Sequence, residues 1–161
     1  AEAYLPLVVA ILGAGLTCTA TLPAAAEMSA SLHIAGTGSS VLDSVFVCRA
    51  WRPSSSSPTG NLRDECARVL TQDAEQMKAA GVRVTLGDLR CLLAGHLARL
   101  TICSLRPTWK DDSVEVQLVE ARAELARLTK QVQPAVLIAD IFVKVSVFTK
   151  KQGELFRDPS V

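Results

Sequence analysis

The segment that most constrains the fold runs from Leu22 to Arg49 and reads LPAAAEMSASLHIAGTGSSVLDSVFVCR. It opens on an apolar residue, continues through a long polar stretch and ends in a second apolar stretch. Just before it, Leu16–Leu22 alternates apolar residues with threonine, which is the period-two pattern of a strand. Val41–Cys48 ends in a continuous apolar run, typical of a strand buried on both faces. We therefore predict a strand, a long loop and a second strand, with Pro23 ending the first strand.

Helical patterns surround this hairpin. Residues 2–12 are predicted to form a short buried helix that stops at Gly13 or Gly15. Later in the chain, apolar residues recur at helical spacing in three segments. These segments are residues 61–80, residues 89–100 with 105 as the furthest extent, and residues 114–128.

Within the last of these helices, Val114, Val116 and Val119 are placed on the apolar face. Its charged residues are expected to form a solvated face; they are Glu120, Arg122, Glu124 and Arg127. The next segment, residues 135–148, is strongly apolar and β-branched. Its pattern is compatible with a strand and with a buried helix.

The sequence predicts an α/β fold with two parts. Residues 1–50 carry a helix and a β-hairpin, and residues 60–150 form a mainly helical lobe. Between them, residues 51–59 (WRPSSSSPT) have the composition of a Ser/Pro linker. Residues 151–161 are polar and are predicted to be a frayed tail.

Charge and hydropathy exclude some classes of function. The 17 basic and 16 acidic residues leave a net charge of +1, so no global charge attracts the chain to nucleic acid or to an anionic membrane. No charged residue occurs from Ala3 to Ala26, and a membrane span or signal peptide can be drawn there. Glycine, proline and threonine dilute this stretch, and no basic residue precedes it. We therefore predict a soluble helix and strand, a cytoplasmic protein and no membrane contact.

Five cysteines are predicted to be buried free thiols in a reducing cytosol. Their number is odd and no pair has CxxC spacing, so neither a disulfide framework nor a metal site is expected. They are Cys18, Cys48, Cys66, Cys91 and Cys103.

Two residues of the polar loop are candidate site residues, because Glu27 and His33 carry side chains able to contact a substrate or to act as general acid or base. The alternative is an ordinary polar surface loop. The glycine-rich segment 36–39 is not a phosphate site, since no helix follows it. His96 is predicted to be a core histidine hydrogen-bonded to a neighbour. Asp88, in a turn after Gly87, is predicted to cap the next helix.

Residues 11–49 resemble the end of the catalytic domain of adenine-specific DNA methylases, which are class I S-adenosylmethionine-dependent methyltransferases. The residues that carry the resemblance are Ala14-Gly15-Leu16-Thr17, Leu22-Pro23 with Glu27-Met28, and Ser44-Val45-Phe46-Val47-Cys48-Arg49. The resemblance implies that the two strands are the antiparallel last pair of a Rossmann-like sheet. It continues to about residue 130 through Ala80-Gly81-Val82, Gly87-Asp88-Leu89 and Ala94-Gly95-His96-Leu97-Ala98, similar to the helical region of those enzymes.

The chain also departs from that family. The resemblance implies a glycine-rich cofactor loop and an Asp/Asn-Pro-Pro-Tyr/Phe motif that holds the flipped base, and neither occurs here. No catalytic or cofactor-binding residue is therefore carried over. Only Glu27 and His33 are placed near a substrate, and that placement follows from the resemblance.

Two hypotheses follow. In the first, the chain is the C-terminal portion of an S-adenosylmethionine-dependent DNA adenine methyltransferase, inactive and without cofactor on its own. Its partner would be the rest of the methylase or a second copy, with DNA bound only by the complete enzyme. In the second, it is a non-enzymatic helical interaction module. A membrane-tethered protein using residues 3–26 is a third, weaker alternative. In the first hypothesis, both predicted strands should expose apolar sheet surface.

Overall fold

A computed structural model describes residues 2–25, 42–52 and 61–155 of the chain, the side chains of 25 and 146–155 excepted. Five α-helices and two strands make up most of these residues, and short 3-10 turns precede the first helix and follow the third. In chain order the elements are α1 (Leu5–Gly13), β1 (Leu16–Ala25), β2 (Leu42–Ala50), α2 (Leu62–Ala79), α3 (Leu86–Leu105), α4 (Val114–Val132) and α5 (Pro134–Leu155).

The predicted α/β class and the strand pairing are confirmed. β1 and β2 pair antiparallel, from Leu16 opposite Ala50 to Ala25 opposite Leu42, with a bulge between Cys18 and Ala20. The prediction that Pro23 ends the first strand is wrong. Pro23 lies inside β1 opposite Ser44, a position that proline can occupy when its nitrogen faces away from the paired strand.

The helical predictions hold in outline. Gly15 and Gly81 have φ angles of 72° and 78°, and they follow α1 and α2 as the left-handed residues that such helix ends favour. The segment that the pattern left open, residues 135–148, is helical within α5. That helix continues to Leu155, into the segment predicted to be a frayed tail.

Helix α3 is the central element, since it contacts both strands and each of the other four helices. The core is aliphatic and continuous across the two predicted parts of the chain. Every helix contributes to it, as Leu12, Leu70, Leu92, Leu125 and Ile141 illustrate. Of the predicted linker, only its first two residues are described, so the boundary at 51–59 stays a prediction.

An arginine fastens α1 to the end of α3. Arg106 donates a hydrogen bond from Nη1 to the carbonyl oxygen of Leu12, in the last turn of α1. Its guanidinium also lies 5.5 Å from the ring centroid of Trp51, just after β2. Cation–π contact and a charged donor at a helix C-terminus both stabilise such an arrangement. Arg106 therefore joins three elements that are distant in sequence.

On α4, Val114, Val116 and Val119 are exposed, so their predicted place on the apolar face is wrong. The buried stripe of this helix includes Ala121 and Leu125 instead. In the described parts of the chain, no helix combines the length and the apolar character that a membrane span requires.

Candidate functional site: the uncovered face of the hairpin

One face of the hairpin is packed tightly against α3. Side chains alternate between the two faces of a sheet, and Thr21 and Ser44 point to the inner face. Gly95 of α3 lies against both: a Cβ atom there would sit 2.6 Å from the Ser44 hydroxyl and 3.0 Å from Thr21 Cγ2. The absence of a side chain at Gly95 is what lets helix and sheet approach so closely.

The other face of the hairpin, called the uncovered face below, is apolar and exposed at its centre. Leu22 and Val45 lie directly opposite each other across the strands, and they are 48% and 47% exposed. Ala20 pairs with Val47 on the same face, next to them. This agrees with the expectation that the strands expose apolar sheet surface. Such a patch is typical of a surface that meets another protein.

Charges of opposite sign border this patch along β2. The period of two that places Val45 and Val47 outward also places Asp43 before them and Arg49 after them on the same face. Asp43 and Arg49 are both exposed. The residues on the outer face of β2 are therefore acidic, apolar, apolar and basic in order. They are placed symmetrically about Phe46, with a valine on each side of it and charges of opposite sign at the two ends.

The two edges of the sheet differ in their ability to pair with another strand. Proline has no N–H, so the backbone groups of the Pro23–Ser44 pair point away from each other, and the N–H and C=O of Ser44 are directed to the outer edge of β2. The Thr19 hydroxyl donates to the Val47 carbonyl oxygen at 3.1 Å, so the backbone groups of Val47 are directed towards β1. The alternation then directs the N–H and C=O of Phe46 to the outer edge. Pro23 blunts the edge of β1, whereas the described part of β2 contains no proline.

A buried polar pair lies elsewhere, between α2 and α3. Nε2 of His96 is 2.7 Å from Oδ2 of Asp73, and His96 is only 4% exposed. This confirms the prediction that His96 is a core histidine bonded to a neighbour. Its Nδ1 atom has no hydrogen-bond partner among the described residues. The pair holds two helices together, and no serine, threonine or cysteine side chain that the structure describes hydrogen-bonds to the imidazole.

The five cysteines are free thiols. Cys18 and Cys66 are buried, and burial raises the pKa of each thiol to about 11. The other three are half-buried, so the prediction of full burial holds for two of the five. Within residues 2–25, 42–52 and 61–155, no group of three or more His, Cys, Asp or Glu side chains could hold a metal ion.

The predicted loop site cannot be placed, because Glu27, His33 and the glycine-rich segment 36–39 lie outside the described residues. Asp88, predicted to be a helix cap, is instead the third residue of α3. Thr85 is the cap, and the Asp88 carboxylate accepts a hydrogen bond from the backbone N–H of Thr85.

Comparisons of the chain with protein-family models, with curated proteins and with solved structures find no match. Its function is therefore inferred from its own surfaces. Two features of the structure, one on the surface and one in the core, escaped the sequence prediction. The opposite charges of Asp43 and Arg49 could have been found by reading β2 at a period of two, whereas the partner of His96 comes from another helix and leaves no local signal.

Proposed function

We propose that this chain is a non-enzymatic interaction module that joins a second copy of itself by pairing β2 with β2. The supporting observation is the order Asp43, Val45, Val47, Arg49 on the uncovered face of an unblunted strand. A partner strand added to such an edge supplies backbone hydrogen bonds, and its side chains decide the register.

The register of the proposed pairing follows from two-fold symmetry. In an antiparallel pair of identical strands, each contact occurs twice. A two-fold axis at Phe46 sets Val45 opposite Val47 of the second copy, and Asp43 opposite Arg49 of the second copy. The result is a four-stranded sheet with an aliphatic centre and an ion pair at each end. The outward backbone groups of Phe46 fit this register, because paired central residues exchange their hydrogen bonds.

Charge supports a second copy as the partner. Shifting the register by two residues would separate Asp43 from Arg49 and leave both charges without their counterparts. A parallel arrangement would set Asp43 against Asp43, and like charges directly opposite each other are destabilising. The charges on the outer face of β2 therefore favour the antiparallel pairing of β2 with β2 of a second copy.

A charge reversal tests this proposal. Asp43→Arg should weaken the dimer by roughly 30-fold, because each of two ion pairs worth about 0.5 kcal/mol becomes a repulsion of similar size, a change of about 2 kcal/mol in all. Arg49→Asp should act alike. The double variant Asp43→Arg/Arg49→Asp restores both ion pairs with their signs exchanged, and its dissociation constant should return to within about threefold of the original. Sedimentation equilibrium across the micromolar range measures all four proteins.

The matched control is Asp112→Arg, the same charge change at an exposed position between α3 and α4. It should leave the dissociation constant unchanged. A chain that stays monomeric throughout this range, or a dimer that ignores both reversals, would contradict the proposal.

A second candidate is the C-terminal portion of a DNA adenine methylase, in which the rest of the enzyme covers the same apolar face. The antiparallel pairing of β1 with β2 favours it, since the resemblance implies such a pair at the sheet edge. S-adenosylmethionine would then belong to the complete enzyme and DNA would be its substrate.

One observation separates this candidate from the first, and a second tests the premise that both share, namely that this chain has no cofactor site of its own. An Asp/Asn-Pro-Pro-Tyr/Phe codon run directly upstream of the coding region would support the methylase. Calorimetric titration of the purified chain with S-adenosylmethionine should give no heat of binding. A micromolar dissociation constant corresponds to about 8 kcal/mol and would require a formed cofactor pocket in this chain.

A further inference from the structure

Three thiols meet where the open end of the hairpin packs on α3. Cys18 of β1 lies directly opposite Cys48 of β2 in the strand register. Cys103 of α3 donates from its thiol to the Cys18 carbonyl oxygen at 3.2 Å. The three come from three different elements, and none of them is joined to another.

The Cys18–Cys48 pair belongs to the close-spaced kind. The Val47 carbonyl accepts a hydrogen bond from the Thr19 side chain and so faces β1, which directs the backbone groups of the next residue, Cys48, to the outer edge. Opposite residues of this kind have Cα atoms about 4.5 Å apart, and their side chains lie on the same face. A disulfide requires Cα atoms about 4.4–6.8 Å apart. The spacing of the two strands at this pair therefore suits a disulfide, once the Cys18 thiol turns away from the Ala20 carbonyl oxygen, to which it donates at 3.2 Å.

We propose that Cys18 and Cys48 form a reversible disulfide across the hairpin when the chain meets a small-molecule disulfide such as oxidised glutathione. Cys48 is half-buried and Cys18 is 1% exposed, so the reaction begins at Cys48. The Cys48 thiolate attacks one sulfur of the oxidant, a mixed disulfide forms, and the first small thiolate leaves. Cys18 then loses its proton and attacks the Cys48 sulfur, which closes the bond and releases the second thiolate. The two cysteines are oxidised by two electrons, and the small disulfide is reduced to two thiols.

The surroundings of Cys18 set the pace of the second step. Burial, and then the neighbouring Cys48 and Cys103 thiols, raise the pKa of Cys18 to about 11. Only the thiolate attacks a disulfide, so closure is slow at neutral pH and speeds up as the pH rises towards this value. Cys66 has a similarly raised pKa and 0% exposure. It lies in α2, so it is not part of a cross-strand cysteine pair.

The disulfide would close the chain segment from residue 18 to residue 48, of which residues 26–41 lie outside the described part of the chain. Closing a loop of this length restricts the unfolded chain and should raise the midpoint of thermal unfolding by about 10 °C. The inner face would gain a covalent link, while the outer face with Leu22 and Val45 stays available.

The test equilibrates the purified chain in buffers of reduced and oxidised glutathione, traps free thiols by alkylation and maps the peptides by mass spectrometry. The expected result is a single internal disulfide between Cys18 and Cys48, with the free thiols falling from five to three and the unfolding midpoint rising. The rate of closure should increase with pH.

Variants assign the bond. Cys48→Ser should abolish the shift in the unfolding midpoint, and Cys66→Ser, the matched control at a buried cysteine elsewhere, should keep it. Cys103→Ser should also keep it. A disulfide that includes Cys103, a link between two chains, or a mixed disulfide at Cys48 that never closes would overturn the proposal. Because the peptide map is made on the unsubstituted chain, a variant that fails to fold leaves the test intact.

Discussion

Nε2 of His96 lies 2.7 Å from Oδ2 of Asp73, and this contact joins α2 to α3 inside the core. Both side chains are almost fully enclosed, with 5% and 10% of their surface accessible. A buried polar group stabilises little by itself but costs a great deal when its partner is removed. The pair therefore acts as a constraint on how α2 and α3 pack.

Removing both members of the pair should cost less than the two single removals added together. We expect Asp73→Leu to lower the free energy of unfolding by about 2–4 kcal/mol, because His96 would be left buried without a partner. The double variant Asp73→Leu/His96→Leu should be less destabilised than the sum of Asp73→Leu and His96→Leu. Urea unfolding of the four proteins gives this coupling energy. If the loss of stability in the double variant equals the sum of the losses in the two single variants, the two side chains act independently.

A second prediction concerns the close approach of α3 to the hairpin. Gly95→Ala should destabilise the fold by about 1–2 kcal/mol, although alanine favours a helix, because the new methyl group meets the Ser44 hydroxyl and Thr21. Adding Ser44→Gly should recover part of the loss by removing the nearest atoms. Gly13→Ala is the control, since no atom lies within 4 Å of its would-be Cβ. Thermal unfolding compares the variants, and equal midpoints for Gly95→Ala and Gly13→Ala would contradict the packing argument.

The third prediction concerns the start of α3. The Thr85 hydroxyl accepts a hydrogen bond from the backbone N–H of Asp88 at 3.1 Å, and the Asp88 carboxylate accepts from the Thr85 backbone at 2.9 Å. This reciprocal capping box satisfies two donors that the helix itself leaves unpaired. Thr85→Ala should lower stability by about 1–2 kcal/mol, and Thr85→Ser should lower it far less.

A matched cap on α4 calibrates that measurement. The corresponding bond from the Val116 backbone to the Ser113 hydroxyl is 3.5 Å long and exposed. Ser113→Ala should therefore cost less than Thr85→Ala in the same chemical denaturation experiment. The reverse order would show that the closed capping box contributes nothing beyond an ordinary cap.

The sequence could predict most elements of the fold, because each depends on neighbouring residues. The alternation in Leu16–Leu22 and the glycines after α1 and α2 are local signals, and the structure bears them out. Pro23 was misread because a strand tolerates proline when its nitrogen faces outward, and only the pairing reveals that direction. The capping role of Thr85 was missed because TLGD contains two residue types that favour capping, Thr and Asp, and only the structure shows which of them precedes the helix.

What depends on distant residues could not be predicted. Asp73 pairs with His96 from another helix, and no pattern of neighbouring residues in the sequence indicates this contact. Val114, Val116 and Val119 were assigned to a core that the fold builds from other positions of α4. An apolar patch such as that around Leu22 and Val45 was expected only under the methylase hypothesis, in which the missing part of the enzyme leaves apolar sheet surface exposed. The apolar run of the second strand by itself predicted burial on both faces.

The fourth prediction concerns pH. Arg127 donates two hydrogen bonds to the Glu124 carboxylate, and with a further one from Ser104 they hold the pKa of Glu124 below its ordinary value of 4.5, despite partial burial. A carboxyl whose pKa is lower in the folded chain stabilises the fold fully above its unfolded pKa, and this contribution is lost as the pH falls through the lowered value.

Glu124→Gln should therefore reduce the free energy of unfolding by about 0.5–1 kcal/mol at neutral pH. The difference from the original chain should shrink steadily below pH 4.5. Urea unfolding at a series of pH values measures it, with Arg127→Gln as a second route to the same loss. A difference that stays constant into acid would mean that the ionised carboxylate of Glu124 is not what these hydrogen bonds stabilise.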